Sequence, residues 1–315
     1  MTAKAIQLTS PRELLAVVPY LLGFFPANSI VTMCLSNNKL GLTQRLDLPR
    51  PDDAHDVAQA LLPTLAGENP DSVILVGYED RAGDSLLALE ALTRALHSHA
   101  LQVHDRLVVR DGRWRSLDCH SPSCCPPEGS RVPEPEDVPG AISEFVGQRV
   151  SPHPDRESLA RQVEPGPQAA AVAKVMRSRQ SARSRAGNCP AFPRVELFSA
   201  WPRILDPEAS SISAEDAVLA AMSLLDIELR DAMVAWLCPG TLGLDELGEE
   251  VQELFLGFDS ALQGEDIDPA STGAQNAIQD RLIRLCAMLP DNLAAPALSL
   301  LASFTWCSKG FTFTT

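Results

Sequence analysis

Three cysteines and one histidine fall close together in this chain, as Cys119-His120-x3-Cys124-Cys125. They sit in a stretch, Asp118–Gly129, that reads Asp-Cys-His-Ser-Pro-Ser-Cys-Cys-Pro-Pro-Glu-Gly. Thiolate and imidazole are the ligand types of zinc. The spacing departs from the usual Cys-x2-Cys knuckle, and adjacent cysteines are awkward ligands for one ion. If His120 does not complete the set, a fourth ligand has to come from elsewhere, with His104, Cys189 and Asp118 as candidates. The plainest reading is a rigid loop whose cysteines act as small buried packers. A metal site formed by Cys119, His120, Cys124 and Cys125, with zinc as the candidate cofactor, comes next. A redox-active or disulfide pair follows, and a cysteine nucleophile comes last, because no third group is visible to orient a thiolate–imidazole pair.

Other groups with chemistry are weaker. The loop Gly77–Ser85 joins an apolar stretch to a helix start, the place where ligands commonly meet backbone N–H groups. It has no glycine-rich phosphate motif, and Glu79, Asp80 and Asp84 make it acidic, so a plain connector is expected. Asp226 and Arg230 are four apart, in the order that favours a helix-face ion pair. Lys174, Arg177, Arg179, Arg183 and Arg185 form a basic run without an acid. A solvated helix face is its first reading, and contact with phosphate or an acidic partner its second. His97 and His99, two apart, cannot share a helix face and are expected to be exposed.

These residues need elements to place them. Ser10-Pro11-Arg12-Glu13 is a helix start, and Gly23 can end that helix. Ile30–Leu35 and Leu40–Leu48 read as a hairpin about Asn37-Asn38-Lys39. A helix follows to about Leu65. Val73–Tyr78 has the continuous apolar character of a strand buried on both faces. A helix through His97 comes next. Val103–Arg110, the turn Asp111-Gly112 and Arg113–Leu117 form a second hairpin. The order α-β-β-α-β-α-β-β predicts an α/β domain with a mixed sheet, in two or three layers, over residues 1–150. The cysteine loop leaves its last strand. Residues 151–209 read as a linker with short helices. Residues 210–315 read as an all-α domain, with helices over Ser213–Leu237, Leu244–Phe258, Ala274–Met288 and Leu293–Trp306. The last of these is expected to be a buried helix.

The bulk numbers narrow the classes. At 315 residues the chain is long enough for about two domains and a sizeable core. Its net charge is −15, divided unevenly: −6 over residues 1–150, +4 over 151–190 and −13 over 191–315. Nucleic-acid binders carry a basic face, so the overall acidity argues against that class. The N-terminus shows no signal-peptide pattern, and no apolar run reaches the ~18 residues of a membrane span. A cytoplasmic protein with mostly reduced thiols and no membrane partner is expected.

Two motifs are similar to those of a known family. The stretch from Leu14 to Val31, Leu-Leu-Ala-Val-Val-Pro-Tyr-Leu-Leu-Gly-Phe-Phe-Pro-Ala-Asn-Ser-Ile-Val, resembles the opening of the actinobacterial domain-of-unknown-function family 4192. Cys124-Cys125-Pro126-Pro127-Glu128-Gly129 resembles its second landmark, which follows a tryptophan-bearing strand, here that of Trp114. Arg230-Asp231 and Trp306 with Gly310 resemble two further landmarks. Family members continue beyond the last landmark with another helical segment, whereas this sequence ends on Phe311-Thr312-Phe313-Thr314-Thr315, a departure from the family pattern. The resemblance implies an actinobacterial cytoplasmic protein and no particular activity.

Three functions from different classes follow. The first is a non-enzymatic binding or scaffold protein that uses a groove between the domains. The second is a metal-dependent or small-molecule enzyme built on Cys119–Cys125. The third and weakest is a nucleic-acid-associated protein that uses Lys174–Arg185. A protein partner or a homo-oligomer is left open.

Overall fold

A computed structural model describes residues 10–37, 39–147, 151–185, 192–262 and 272–308. The chain divides into two compact units, Met1–Leu159 and Ala160–Thr315. The first contains α1 (Pro11–Leu22), β1 (Ser29–Ser36), β2 (Lys39–Asp47), α2 (Ala54–Gly67), β3 (Ser72–Tyr78), α3 (Leu86–Ser98), β4 (Gln102–Arg110), β5 (Arg113–Ser116), β6 (Ser130–Arg131) and α4 (Pro139–Gly147), and α5 (Arg156–Ala160) lies at the boundary.

The six strands form one mixed sheet in the order β2-β1-β3-β4-β5-β6. Only β3 and β4 run parallel, joined by α3, and every other pair is antiparallel. This is the mixed α/β sheet expected from the sequence, with β6 as an addition. It pairs Trp114 with Ser130 and so brings the chain back to β5 after the cysteine loop.

Period-two alternation divides the sheet's side chains between two faces. Val31, Met33, Ile74, Val76, Leu107 and Trp114 pack with Leu14, Leu15 and Val18 of α1. Ser10 caps α1 by accepting from the Glu13 N–H, and Gly23 ends it in the left-handed region at φ 82°. On the opposite face, Gly77 of β3 lies against Ser85 and Leu89, at the start of α3. Three layers result. Outside α1, α4 adds Ala141 and Ile142, and Phe145 packs on Tyr20 with the rings tilted by 39° and their centroids 5.3 Å apart. Asp111 and Gly112 both have positive φ, which is what a tight hairpin turn between twisted strands requires.

The second unit is helical: α6 (Ala169–Arg185), α7 (Arg194–Phe198), α8 (Trp201–Leu205), α9 (Ala214–Ser223), α10 (Ile227–Leu237), α11 (Glu249–Leu262), α12 (Thr272–Met288) and α13 (Asp291–Ser308). Its core gathers Trp201, Ile204, Val218, Leu229, Met233, Leu282, Leu285, Leu300 and Phe304. The expected single helix over Ser213–Leu237 is two helices. Asp226 breaks it: its backbone is extended, and its carboxylate accepts from the N–H groups of Glu228 and Leu229 as the cap of α10. Asp226 therefore does not pair with Arg230, which turns to Asp231 at 3.2 Å. The helix expected from Leu244 begins at Glu249, after a single 3-10 turn over Leu244–Glu246.

Candidate functional site

The cysteine loop begins on a rigid base. Ser116, the last residue of β5, donates to Asp105 on β4 at 2.6 Å. Its hydroxyl oxygen also accepts from the N–H groups of Asp118 at 3.1 Å and Cys119 at 3.0 Å. Asp118 accepts from the Arg106 guanidinium and from the Arg106 backbone N–H, at 3.1 Å each. The guanidinium hydrogen bond first, then its Coulomb attraction and the backbone N–H, hold the Asp118 carboxyl below the usual carboxylate range.

A tight turn then reverses the chain. The N–H groups of Cys124 and Cys125 both donate to the Ser121 carbonyl, at 3.3 and 2.8 Å. Pro126 accepts from the N–H of Gly129, whose φ is 75°. A Cβ at Gly129 would stand 3.0 Å from the Trp114 carbonyl oxygen, so glycine is needed there for the loop to rejoin the sheet. Arg113 fixes that return by donating to the Gly129 carbonyl at 2.8 Å.

The reversal brings three sulfurs together. Cys119 Sγ and Cys124 Sγ are 3.0 Å apart, Cys124 Sγ and Cys125 Sγ 3.9 Å, and all three lie within 4.8 Å of one another. Cys124 is exposed and the other two are half-buried, so they are not buried packers. Three thiols this close perturb one another. The Cys119 thiol lies below its ordinary value, chiefly because the Cys124 thiol donates to it. Burial, and then the Cys119 thiol, push Cys125 up to about 11. His120 is exposed and its ring is not one of the three clustered ligands. Of the suggested outside ligands, Asp118 is taken by Arg106, His104 is not in the cluster, and Cys189 lies outside the described residues.

The other sequence candidates have local partners. Glu79 is buried at the end of β3, and its carboxylate accepts from Ser85 N at 2.9 Å, Ser85 Oγ at 2.6 Å and Gly83 N at 3.2 Å. The backbone donors before α3 are thus filled by the chain's own carboxylate. Asp80 accepts from Asn28, and Asp84 from the Arg81 N–H. In the basic run, Arg179 pairs with Glu196 and Glu215, while Lys174 and Arg177 are exposed. The side chains of Arg183 and Arg185 lie outside the described residues. His97 and His99 are exposed near the end of α3.

Two arginines escaped the sequence reading. Arg194 gathers Asp226 at 2.9 Å, Glu228 at 2.7 Å and Glu250 at 3.2 Å. Arg281 is buried and donates to the carbonyls of Ile204 at 2.5 Å and Ala209 at 2.9 Å. A signal existed for Arg281, because Ile278, Leu282 and Leu285 put it on an apolar helix face.

Fold and loop together define a class: a mixed α/β unit with a thiol-bearing surface loop, followed by a helical unit. The chain belongs to the family described as a domain of unknown function, DUF4192, whose model matches residues 11–310. Comparison with curated proteins and with solved structures gave no match. No helix among the described residues is long and apolar enough to cross a membrane.

Proposed function

We propose that this is a non-enzymatic binding or scaffold protein whose cysteine loop holds one zinc ion. Cys119, Cys124 and Cys125 supply three thiolates, and His120, whose ring stands outside the sulfur cluster, would have to turn inward to take the fourth position. The observation that carries the reading is the convergence of three sulfurs on a surface loop anchored at both ends. Tetrahedral zinc with bonds of about 2.3 Å places its sulfurs about 3.8 Å apart. Cys124 and Cys125 already stand at 3.9 Å, and Cys119 has to withdraw from Cys124 by less than an ångström. Zinc there would staple the loop to the β5–β6 end of the sheet, which is a structural task.

A cytoplasmic setting suits the reading, because reducing conditions keep the thiols available to a metal. The alternative of an enzyme gains less support. Asp118, the carboxylate next to Cys119, is committed to Arg106, and Glu79 to the start of α3. Metal content by plasma mass spectrometry on untagged protein tests the proposal. About one zinc per chain, lost in Cys124→Ser and reduced in His120→Ala, is expected. Metal-free protein with every thiol titratable would sink it.

A further inference from the structure

The shortest sulfur contact in the loop is not the one a zinc site needs. Cys119 and Cys124 stand 3.0 Å apart, between the S–S bond length of about 2.05 Å and the zinc-site separation of about 3.8 Å. A movement of roughly one ångström in either direction converts the pair to one state or the other. Cys124 is exposed, so an oxidant can reach it. The Ser121 turn holds Cys124 back toward Cys119 without help from a metal. Cys125 is a poorer partner for Cys124, because a bond between chain neighbours closes a small strained ring, and their sulfurs are 3.9 Å apart.

We infer that Cys119 and Cys124 form a reversible disulfide that empties the metal site. This rests on the zinc reading above. The oxidant is a hydroperoxide. One sulfur of the pair attacks a peroxide oxygen, the O–O bond breaks, and hydrogen peroxide leaves as water with a sulfenic acid on the protein. The second sulfur attacks the sulfenyl sulfur. The S–S bond forms, the S–O bond breaks, and a second water leaves with the remaining thiol proton. Two thiols are oxidised and one peroxide is reduced. A disulfide no longer offers two thiolates, so of the three clustered sulfurs Cys125 alone would remain to hold zinc, and the ion would be released. A dithiol reductant returns both electrons and restores the site.

The test treats the full chain, zinc-loaded and zinc-stripped in parallel, with equimolar hydrogen peroxide. Non-reducing peptide mass spectrometry maps the linkage, and a chromophoric chelator reads released zinc. The expected result is a Cys119–Cys124 linkage in both samples, zinc release equal to the linkage formed, and rebinding after dithiothreitol. Cys125→Ser should keep the linkage, while Cys119→Ser should abolish it. A linkage through Cys125, oxidation to sulfinic acid with no linkage, or full linkage with zinc retained would overturn the inference. Zinc content before peroxide decides the metal reading separately. A chain that never binds zinc yet forms the linkage refutes the metal and leaves a plain dithiol.

Discussion

Arg106 holds Asp118 twice, through its guanidinium and through its own backbone N–H, so β4 grips the residue next to the first loop cysteine. The grip fixes where Cys119 starts, and Ser116 adds a second hold, its hydroxyl oxygen accepting from the backbone N–H groups of Asp118 and Cys119. Asp118→Ala should therefore leave the three thiols in place but loosen their convergence. Residues that orient metal ligands are worth roughly 10- to 100-fold in affinity. A loss of about tenfold in zinc affinity, read by competition with a chelator of known strength, is the expected outcome. Unchanged affinity would mean that the turn alone sets the site. Because Asp118 titrates below an ordinary aspartate, its grip is complete at neutral pH and is lost only as pH falls through that lowered value.

The cysteines should separate by reactivity. Cys119 carries the lowered thiol, Cys125 is pushed up to about 11, and burial takes Cys34 and Cys286 up to about 12. Alkylation follows the thiolate fraction and access. In metal-free, reduced protein at neutral pH, iodoacetamide should label Cys119 before Cys125, and Cys34 and Cys286 only on unfolding. Above neutrality the Cys125 rate should keep rising, by about tenfold per pH unit until it nears its own value, after the Cys119 rate has levelled. Time-resolved peptide mass spectrometry gives the order, and equal rates for Cys119 and Cys125 would contradict the assigned environments.

Glu79 offers a stability test away from the thiols. It satisfies the Ser85 N–H and O–H and the Gly83 N–H, in a pocket where Gly77 leaves room for Ser85. A Cβ at Gly77 would come within 2.2 Å of Ser85 Oγ. Glu79→Ala strands buried donors, at about 1–3 kcal/mol for each one left unsatisfied. Gly77→Ala should destabilise by displacing Ser85. Urea unfolding of both variants should show earlier midpoints for the first unit. A wild-type midpoint in Glu79→Ala would show that water replaces the carboxylate.

Much of this fold could be read from local pattern. The Ser10 cap, the Gly23 terminator, the apolar β3 and the Asp111-Gly112 turn are decided by residues close in sequence, and each is found where the sequence puts it. The part of the turn at Asn38 lies outside the described residues. The cysteine loop was legible as a cluster of ligand types but not as a geometry. Its sulfurs meet through the Ser121 turn, and the loop is fixed at its two ends by Ser116 and by Arg113 with β6, contacts that the linear spacing does not display. The long helix failed for a related reason. Its apolar spacing continues across Asp226, but an aspartate that caps the next turn, held by Arg194 from another helix, outweighs periodicity. Likewise the Glu79 carboxylate reads as an acidic loop residue until the fold buries it.

Arg281 tests the helical unit. Its side chain runs through the core to reach the carbonyls of Ile204 and Ala209, so it ties α12 to the chain leaving α8. Burial lowers its pKa, and nearby Arg284 lowers it further, but a guanidinium titrates so far above neutrality that it stays charged. Arg281→Met keeps most of the volume and removes the donors. The Ile204 carbonyl it leaves is buried and that of Ala209 half-buried, and the expected loss is about 1–3 kcal/mol in the unfolding of this unit. Arg284→Met, one turn along and exposed, is the control and should change stability by less than about 0.5 kcal/mol. The chain has two compact units, so calorimetry that resolves a transition for each is the proper measurement. A shift confined to the helical unit's transition supports the clamp. Equal small effects from both substitutions would show that Arg281 fills space and nothing more.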